Sequence, residues 1–206
     1  VELYMNGTYM GSYMFTEKVG MANNSVDIDE ELGYLLELDT YGSSDEPIYT
    51  TGSYSLPVKV SEPDLLELPS SESSVRLNSI LNDVKEMSSC LYNNGDINDV
   101  LDVETTARFF LANDYVLNQE INHPKSTFLY KENLNDLGSP YVFGPVWDCD
   151  KGWDNDVRVP HREYQPLTSL MLYAGFWMPS NVQDDWFQHL WTDETFRAFV
   201  AKRWAD

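Results

Sequence analysis

The sequence predicts an α+β protein with two lobes, a β-rich N-terminal lobe over residues 1–66 and a mainly helical C-terminal lobe over residues 67–206. Three observations support this prediction. Apolar and polar residues alternate between turn signals through much of residues 1–60, which is typical of strands. Residues 63–74 are rich in Pro, Ser and Glu and indicate a linker. Beyond the linker, apolar residues recur at intervals of three and four, which is typical of helices.

Residues 1–18 predict a β-hairpin, because Asn6-Gly7 stands between two alternating runs and is the strongest short-range signal of such a turn. Gly11 is a second turn signal in the same segment. A hairpin that carries glycines can lie over the phosphates of a nucleotide, since glycine allows close backbone approach. On this interpretation Gly7 and Gly11 bind a cofactor. The alternative is an ordinary hairpin turn.

Two further strands are predicted at residues 33–39 and 56–60, and each carries one charged residue between apolar neighbours. Glu37 points either into solvent or into a cleft where it would pair with a lysine. Lys59 is either a solvated charge on an edge strand or a group that binds phosphate. The pattern alone leaves both pairs of alternatives open.

Four helices are predicted in the C-terminal lobe. Residues 77–91 place their apolar side chains on one face and end at an Asn-Asn-Gly stop. Asp102 is the predicted N-cap of a second helix. Residues 185–204 carry apolar side chains on helical spacing, with Thr192 as the predicted cap between two helices.

The apolar run from Tyr141 to Trp147 ends in two carboxylates, Asp148 and Asp150, on either side of Cys149. Its β-branched and aromatic residues predict a buried strand, and a carboxylate at the edge of such a core needs a partner to offset its desolvation. Because residues i and i+2 of a strand point to the same side, both carboxylates are expected to face one ion. Oxygen ligands of this kind suit magnesium, manganese or calcium. The alternative is a pair that caps a turn or is solvated.

A polar loop comes shortly before this run, at residues 118–126. Its polar and titratable side chains are Glu120, Asn122, His123, Lys125 and Ser126. A strand at residues 127–130, a turn and the run to Trp147 would return the chain to this loop. We therefore expect the loop and the two carboxylates to lie close together and to form the best catalytic constellation in the chain. Further candidates for substrate contact follow the carboxylates: Asp154, Asp156, Arg158, His161 and Arg162.

The composition limits the possible partners. The formal net charge is -21, from 34 acidic and 13 basic residues, and a field of this sign repels phosphate backbones, so a nucleic-acid partner is not expected. No run reaches the roughly 18 apolar residues of a membrane span. The two cysteines have no metal-ligand spacing and are expected to be buried thiols. The start at Val1, inside a predicted hairpin, indicates a piece of a longer protein, and the composition favours a secreted or surface protein of a bacterium.

Six stretches, in order along the chain, resemble the CotH family of atypical protein kinases, which are similar to spore coat protein H. These stretches are NGTYMGSYMFTEKV, GYLLELD, LPVKVSEPD, NHPKSTFLYKE, GPVWDCD and WFQHLWTDETFRAFVAKRW. They span nearly the whole chain, so the resemblance is more specific than any single motif. The HPKS and GPVWD motifs are similar to those of the family branch found in gut and other anaerobic bacteria.

The resemblance implies a diverged protein-kinase-like fold and transfer of the γ-phosphoryl group of ATP to protein Ser or Thr with Mg or Mn. It implies that Asp148, with Asp150 beside it, takes the place of the metal-binding aspartate. The hairpin at residues 6–11 takes the place of the nucleotide-covering loop, and residues 120–126 take that of the catalytic loop. The sequence does not identify the protein substrate.

The resemblance also suggests individual roles. Glu120 would orient the acceptor hydroxyl, Lys59 or Lys125 would contact phosphate oxygens, and Ser126 would be a ligand where spore-coat members carry an asparagine. Ser61 stands where family members often carry a lysine. Glu120 is the nearest acid where spore-coat members carry an aspartate. The three replacements leave a second function open, a non-catalytic, pseudokinase-like module for extracellular binding or adhesion.

Overall fold

The computed structural model describes residues 1–43, 47–51, 56–116, 118, 125–136, 138–153 and 186–205. Within these residues the chain forms seven strands and four α-helices, so the predicted α+β class is confirmed.

The N-terminal hairpin forms a two-stranded sheet of its own, in which β1 (Glu2–Met5) pairs with β2 (Thr8–Ser12). Asn6 and Gly7 have φ angles of 50° and 81°, both left-handed, as a two-residue turn between twisted strands requires. The predicted hairpin is therefore confirmed. Several of its large apolar side chains are exposed, namely Leu3, Tyr4, Met5, Tyr9 and Met10.

The main sheet has five antiparallel strands in the order β4-β5-β3-β6-β7. Its members are β3 (Tyr34–Leu38), β4 (Tyr49–Thr51), β5 (Leu56–Glu62), β6 (Thr127–Lys131) and β7 (Val142–Phe143). β5 ends before Pro63, because proline has no amide hydrogen for the next ladder bond. The sheet joins strands from both sides of the predicted lobe boundary at residue 66, and the division into two lobes stays a prediction.

The strand at the centre of the sheet, β3, sends alternate side chains to the two faces. Leu36 and Leu38 are fully buried in the large core that the helices share with the sheet. Leu35 is equally buried on the opposite face, where it packs with Val19 and Phe128 in a smaller cluster. Among the described residues, helices therefore cover one face of the sheet, and loop segments partly cover the other.

The helices are α1 (Ser70–Tyr92), α2 (Val103–Tyr115), α3 (Trp186–Thr192) and α4 (Glu194–Ala205). α1 begins earlier than predicted, so the end of the predicted linker is helical. None of the helices in the described part of the chain is both long and apolar enough to cross a membrane.

Side-chain caps define two of the helix starts. Asp102 Oδ1 accepts the Thr105 N–H at 2.9 Å, which confirms the predicted N-cap of α2. At α4, Asp193 Oδ1 accepts the Phe196 N–H at 2.9 Å. The prediction of Thr192 as this cap is wrong, because its hydroxyl donates to the His189 carbonyl of the preceding helix instead.

Helix α2 lies between the sheet and α4. The Phe110 ring is 5.9 Å from that of Phe143 in β7 and 5.7 Å from that of Phe196 in α4, measured between centroids. Phe110 therefore connects the C-terminal helix to the sheet through these two ring contacts. Full burial of a side chain of this size stabilises the fold by about 1.5–3 kcal/mol.

A polar network crosses the helix-covered face between α1 and the sheet. Asp83 Oδ2 accepts hydrogen bonds from the hydroxyls of Tyr34 at 2.5 Å and Tyr141 at 3.1 Å, and Lys131 Nζ lies 2.9 Å from the same oxygen. Burial, together with the neighbouring Asp83 carboxylate, raises the pKa of both tyrosines, which therefore remain protonated donors. The network fixes the position of α1 on β3 and β6.

Candidate functional site

A cleft of about 410 Å³ opens on the sheet face that the helices leave uncovered. Its floor is a row of three side chains that lie opposite one another on adjacent strands, Lys59 of β5, Glu37 of β3 and Phe128 of β6. Residues paired in this way point to the same face of a sheet. The other lining residues are Lys18, Val19, Val60, Ser61, Glu62, Asp64, Leu66 and Trp147.

Lys59 is buried at the floor of this cleft, with 8% of its surface exposed. Its Nζ lies 3.3 Å from Asp39 Oδ2 and 3.7 Å from Glu37 Oε2, and such pairing offsets the desolvation of a buried ammonium group. Its strand is flanked by β4 and β3. The interpretation of Lys59 as a solvated charge on an edge strand is therefore wrong. Of the two alternatives for Glu37, the cleft with a paired lysine is confirmed.

The strand predicted to run to Trp147 is much shorter, since β7 ends at Phe143. Gly144 follows with a φ of 137°, a backbone conformation that other residues rarely adopt. Asp148 itself has a left-handed φ of 52°. The alternation of strand side chains, which was expected to point Asp148 and Asp150 to the same side, therefore does not apply.

Asp148 faces the end of the predicted polar loop. Ser126 Oγ donates a hydrogen bond to Asp148 Oδ2 at 3.2 Å, and Lys125 Nζ is 4.0 Å from the same oxygen. Ser126 also has a left-handed φ, 48°, and the surrounding structure must hold a serine in such a conformation. The structure thus brings together three of the residues singled out from the sequence.

The oxygen atoms of this loop match the preferences of a small divalent ion. Asp150 Oδ2 lies 3.4 Å from Lys151 Nζ, and its side chain is 61% exposed. No group of three or more His, Cys, Asp or Glu residues suited to a metal occurs in the described part of the chain. Two carboxylates and the Ser126 hydroxyl are nevertheless hard donors, and magnesium often takes only one or two protein carboxylates and completes its shell with phosphate and water. The chemistry of these donors suits an ion that arrives with a phosphate, and their arrangement around one ion stays a prediction.

Several predicted site residues lie outside the described residues: Glu120, Asn122, His123, Asp154, Asp156, Arg158, His161 and Arg162. Gly7 and Gly11 are described, and neither lines the cleft. A β-carbon on Gly7 would meet no atom within 4 Å, so the left-handed turn rather than close packing requires glycine there. The roles of Glu120, Gly7 and Gly11 stay predictions.

The segment with the carboxylates is anchored on the C-terminal end of α2. The Trp153 N–H donates to the Val116 carbonyl at 2.6 Å, and a β-carbon on Gly152 would lie 2.5 Å from that oxygen. Only glycine therefore fits at this contact. Asn118 Nδ2 donates to Cys149 Sγ at 3.8 Å. Both cysteines are half-buried free thiols, so the prediction of buried thiols is wrong in degree.

One further residue near this anchor had not been singled out from the sequence. Asp114, in the last turn of α2, is 7% exposed, and its Oδ1 has no hydrogen-bond partner among the described residues. Desolvation raises the pKa of this carboxyl group to about 6. It follows Ala107 and Phe110 at helical spacing, and this spacing was the available signal that it lies on a buried face.

Asp114→Asn is expected to stabilise the protein by about 2 kcal/mol at pH 8 and to change little at pH 4. The folded-state pKa of about 6 exceeds the ordinary value of 3.8, so the protonated form is favoured in the folded protein. Stability from this group is present below the ordinary value and is lost as the pH rises through 6. Chemical denaturation at both pH values measures the effect. Asp27→Asn, at an exposed position, is the control, and an equal gain at pH 4 and pH 8 would contradict the assignment.

The described residues form an α+β domain with a cleft, in which Lys59 is paired with Glu37 and Asp39, and Asp148 follows Trp147 of the cleft lining. A family model described as CotH kinase protein matches residues 1–206. The chain therefore belongs to the CotH kinase family, which confirms the resemblance. Membership supports a kinase-like transferase function. Comparisons with curated proteins and with solved structures found no match.

Proposed function

We propose that this chain is a protein kinase that binds ATP with Mg or Mn and transfers the γ-phosphoryl group to a Ser or Thr hydroxyl of a protein. The observation that carries the proposal is the cleft, because it contains both the buried Lys59 and Trp147, the residue next to Asp148. A nucleotide site needs apolar walls for the base, a cation for the phosphates and a metal site close to the phosphates. The cleft supplies the apolar walls and the cation. The carboxylates that would supply the metal site follow Trp147 of its lining.

The lining of the cleft suggests how a nucleotide would lie in it. Phe128 and Trp147 offer aromatic surface for a base, and Lys59 and Lys18 offer ammonium groups for phosphate oxygens. In this proposal the exposed hairpin with Gly7 and Gly11 covers the nucleotide.

Asp148 and Asp150, with Ser126, would hold the divalent ion. When bound, such an ion neutralises phosphate charge, and a chain with a net charge of -21 has few cations of its own for that task. Lys125, 4.0 Å from Asp148 Oδ2, is placed to contact a phosphate oxygen as well. Glu120 would orient the acceptor hydroxyl, because it is the nearest acid in the loop that ends at Ser126.

Titration calorimetry of the whole chain with ATP, in the presence and absence of Mn, tests the proposal. We expect binding that requires Mn, followed by transfer of labelled γ-phosphate to a mixture of Ser- and Thr-containing proteins. Absence of binding at millimolar nucleotide would overturn the proposal, since the cleft would then serve another purpose. A strict dependence of ATP binding on Mn would be the most informative outcome, because Asp148 and Asp150 would repel the phosphates in the absence of the ion.

A second candidate is the non-catalytic binding or adhesion module. It is favoured by one observation, that Lys59 is already held between Asp39 and Glu37, so its charge is matched without a ligand. Binding of ATP with Mn but no phosphoryl transfer would support this module. For either function, we propose from the composition that the protein is secreted or lies on the surface of a bacterium.

A further inference from the structure

The cleft holds more carboxylates than ammonium groups. Two lysines line it, Lys18 and Lys59, against three acids, Glu37, Glu62 and Asp64. Lys59 is already matched by its ion pairs with Glu37, which lines the cleft, and with Asp39, which does not. A polyphosphate that enters therefore meets net negative charge, and each unmatched carboxylate near its path weakens its binding.

Of the acids that line the cleft, Glu62 is the best placed to act on a ligand. It is the last residue of β5 and lines the cleft, and its Oε1 is 3.8 Å from the position of a β-carbon on Gly20. Glu37, by contrast, is paired with Lys59. Asp64 is exposed and its Oδ1 accepts the Leu66 N–H.

The charges around Glu62 come from several segments. Burial raises its pKa above the ordinary 4.5, Lys18 acts in the opposite direction, and Asp64, Glu30 and Glu67 raise the pKa further. At the floor of the cleft are the paired Lys59 and Glu37. The Glu62 carboxyl group therefore takes up a proton at milder acidity than an isolated glutamate does.

We propose that Glu62 controls the entry of a polyphosphate into the cleft. As a carboxylate it repels the phosphates and attracts Lys18. As a carboxylic acid it no longer attracts Lys18, which becomes available to a phosphate, and its own hydroxyl can donate to a phosphate oxygen. This inference rests on the proposed nucleotide binding, and it adds that the affinity of the site for phosphates rises as the pH falls.

Glu62→Gln is the variant that tests the inference, because it keeps the shape of the side chain and is neutral at every pH. The measurement is titration calorimetry of the whole chain with Mn and ATP at several values from pH 7.5 to pH 5. At pH 7.5 we expect the variant to bind about threefold to tenfold more tightly than the wild type. The gap should narrow as the pH falls, since protonation removes the charge of the wild-type residue. Adenosine, which has no phosphate, should bind both proteins equally.

Glu67→Gln is the matched control, because Glu67 is exposed, lies near Glu62 and does not line the cleft. It removes the same charge and should improve binding much less. Equal affinity of wild type and Glu62→Gln at every pH, or an equal gain in the control, would overturn the role of Glu62 and leave nucleotide binding intact. Absence of ATP binding in all three proteins at every pH would overturn nucleotide binding as well.

Discussion

Asp148→Asn is expected to reduce Mn-dependent ATP binding and phosphoryl transfer by at least about 100-fold, since even residues that only support a metal ligand are worth 10- to 100-fold. Asparagine keeps the size of the side chain and tolerates the left-handed φ of 52°, so the loss isolates the charge. Alanine at this position would add backbone strain. Titration calorimetry with ATP and Mn, and a γ-phosphate transfer assay, measure the two losses.

The control for this substitution is Glu132→Gln, which removes one negative charge from an exposed position just after β6. It should leave binding and transfer unchanged. Equal melting temperatures of wild type, variant and control in the absence of ligand would establish that the fold is kept. An Asp148→Asn protein that binds ATP with Mn as tightly as the wild type would remove Asp148 from the metal site.

Asp83→Asn is expected to lower the free energy of unfolding by about 3–5 kcal/mol, because the change leaves the buried Lys131 ammonium without its carboxylate. Lys131 is 3% exposed at its side chain and Asp83 only 12%. The amide also loses one of the acceptor oxygens that the Tyr34 and Tyr141 hydroxyls use. Guanidinium denaturation, followed by far-UV circular dichroism, measures the loss.

A double substitution separates the ion pair from the packing around it. Asp83→Leu with Lys131→Met removes both charges, and it should restore a large part of the stability that Asp83→Asn loses, since an apolar pair needs no compensation. Glu72→Gln, on an exposed turn of the same helix, should change stability by less than about 0.5 kcal/mol. A loss below about 1 kcal/mol for Asp83→Asn would show that water reaches Lys131.

Local patterns predicted the elements well wherever a single signal decided the structure. The left-handed turn at Asn6-Gly7 and the N-cap at Asp102 depend on neighbouring residues alone, and both are present. The strand that was expected to reach Trp147 stops early because Gly144 turns the backbone. Residues 144–147 form irregular chain instead, and Val146 among them is exposed. The sequence prediction gave the apolar residues around Gly144 more weight than the glycine itself.

The candidate site was predictable only in part, because its geometry depends on strand pairing. The polar loop and the carboxylates do meet at Ser126 and Asp148. Lys59 was uncertain because its partners are Glu37 of β3 and Asp39 just after that strand, and no local pattern gives the register of β3 against β5. Asp114 is buried, which the helix pattern only suggests.

The position of β3 has a consequence for how this chain folds. Its two neighbours in the sheet are β5, which precedes α1, and β6, which follows α2. One edge of β3 therefore remains without its partner until both intervening helices have been synthesised, and closing so long a loop slows folding. During synthesis Leu35 and Leu36 lie on an open strand edge that invites pairing with other chains. Pairing of β6 with β3 is thus the step that removes this open edge from the nascent chain.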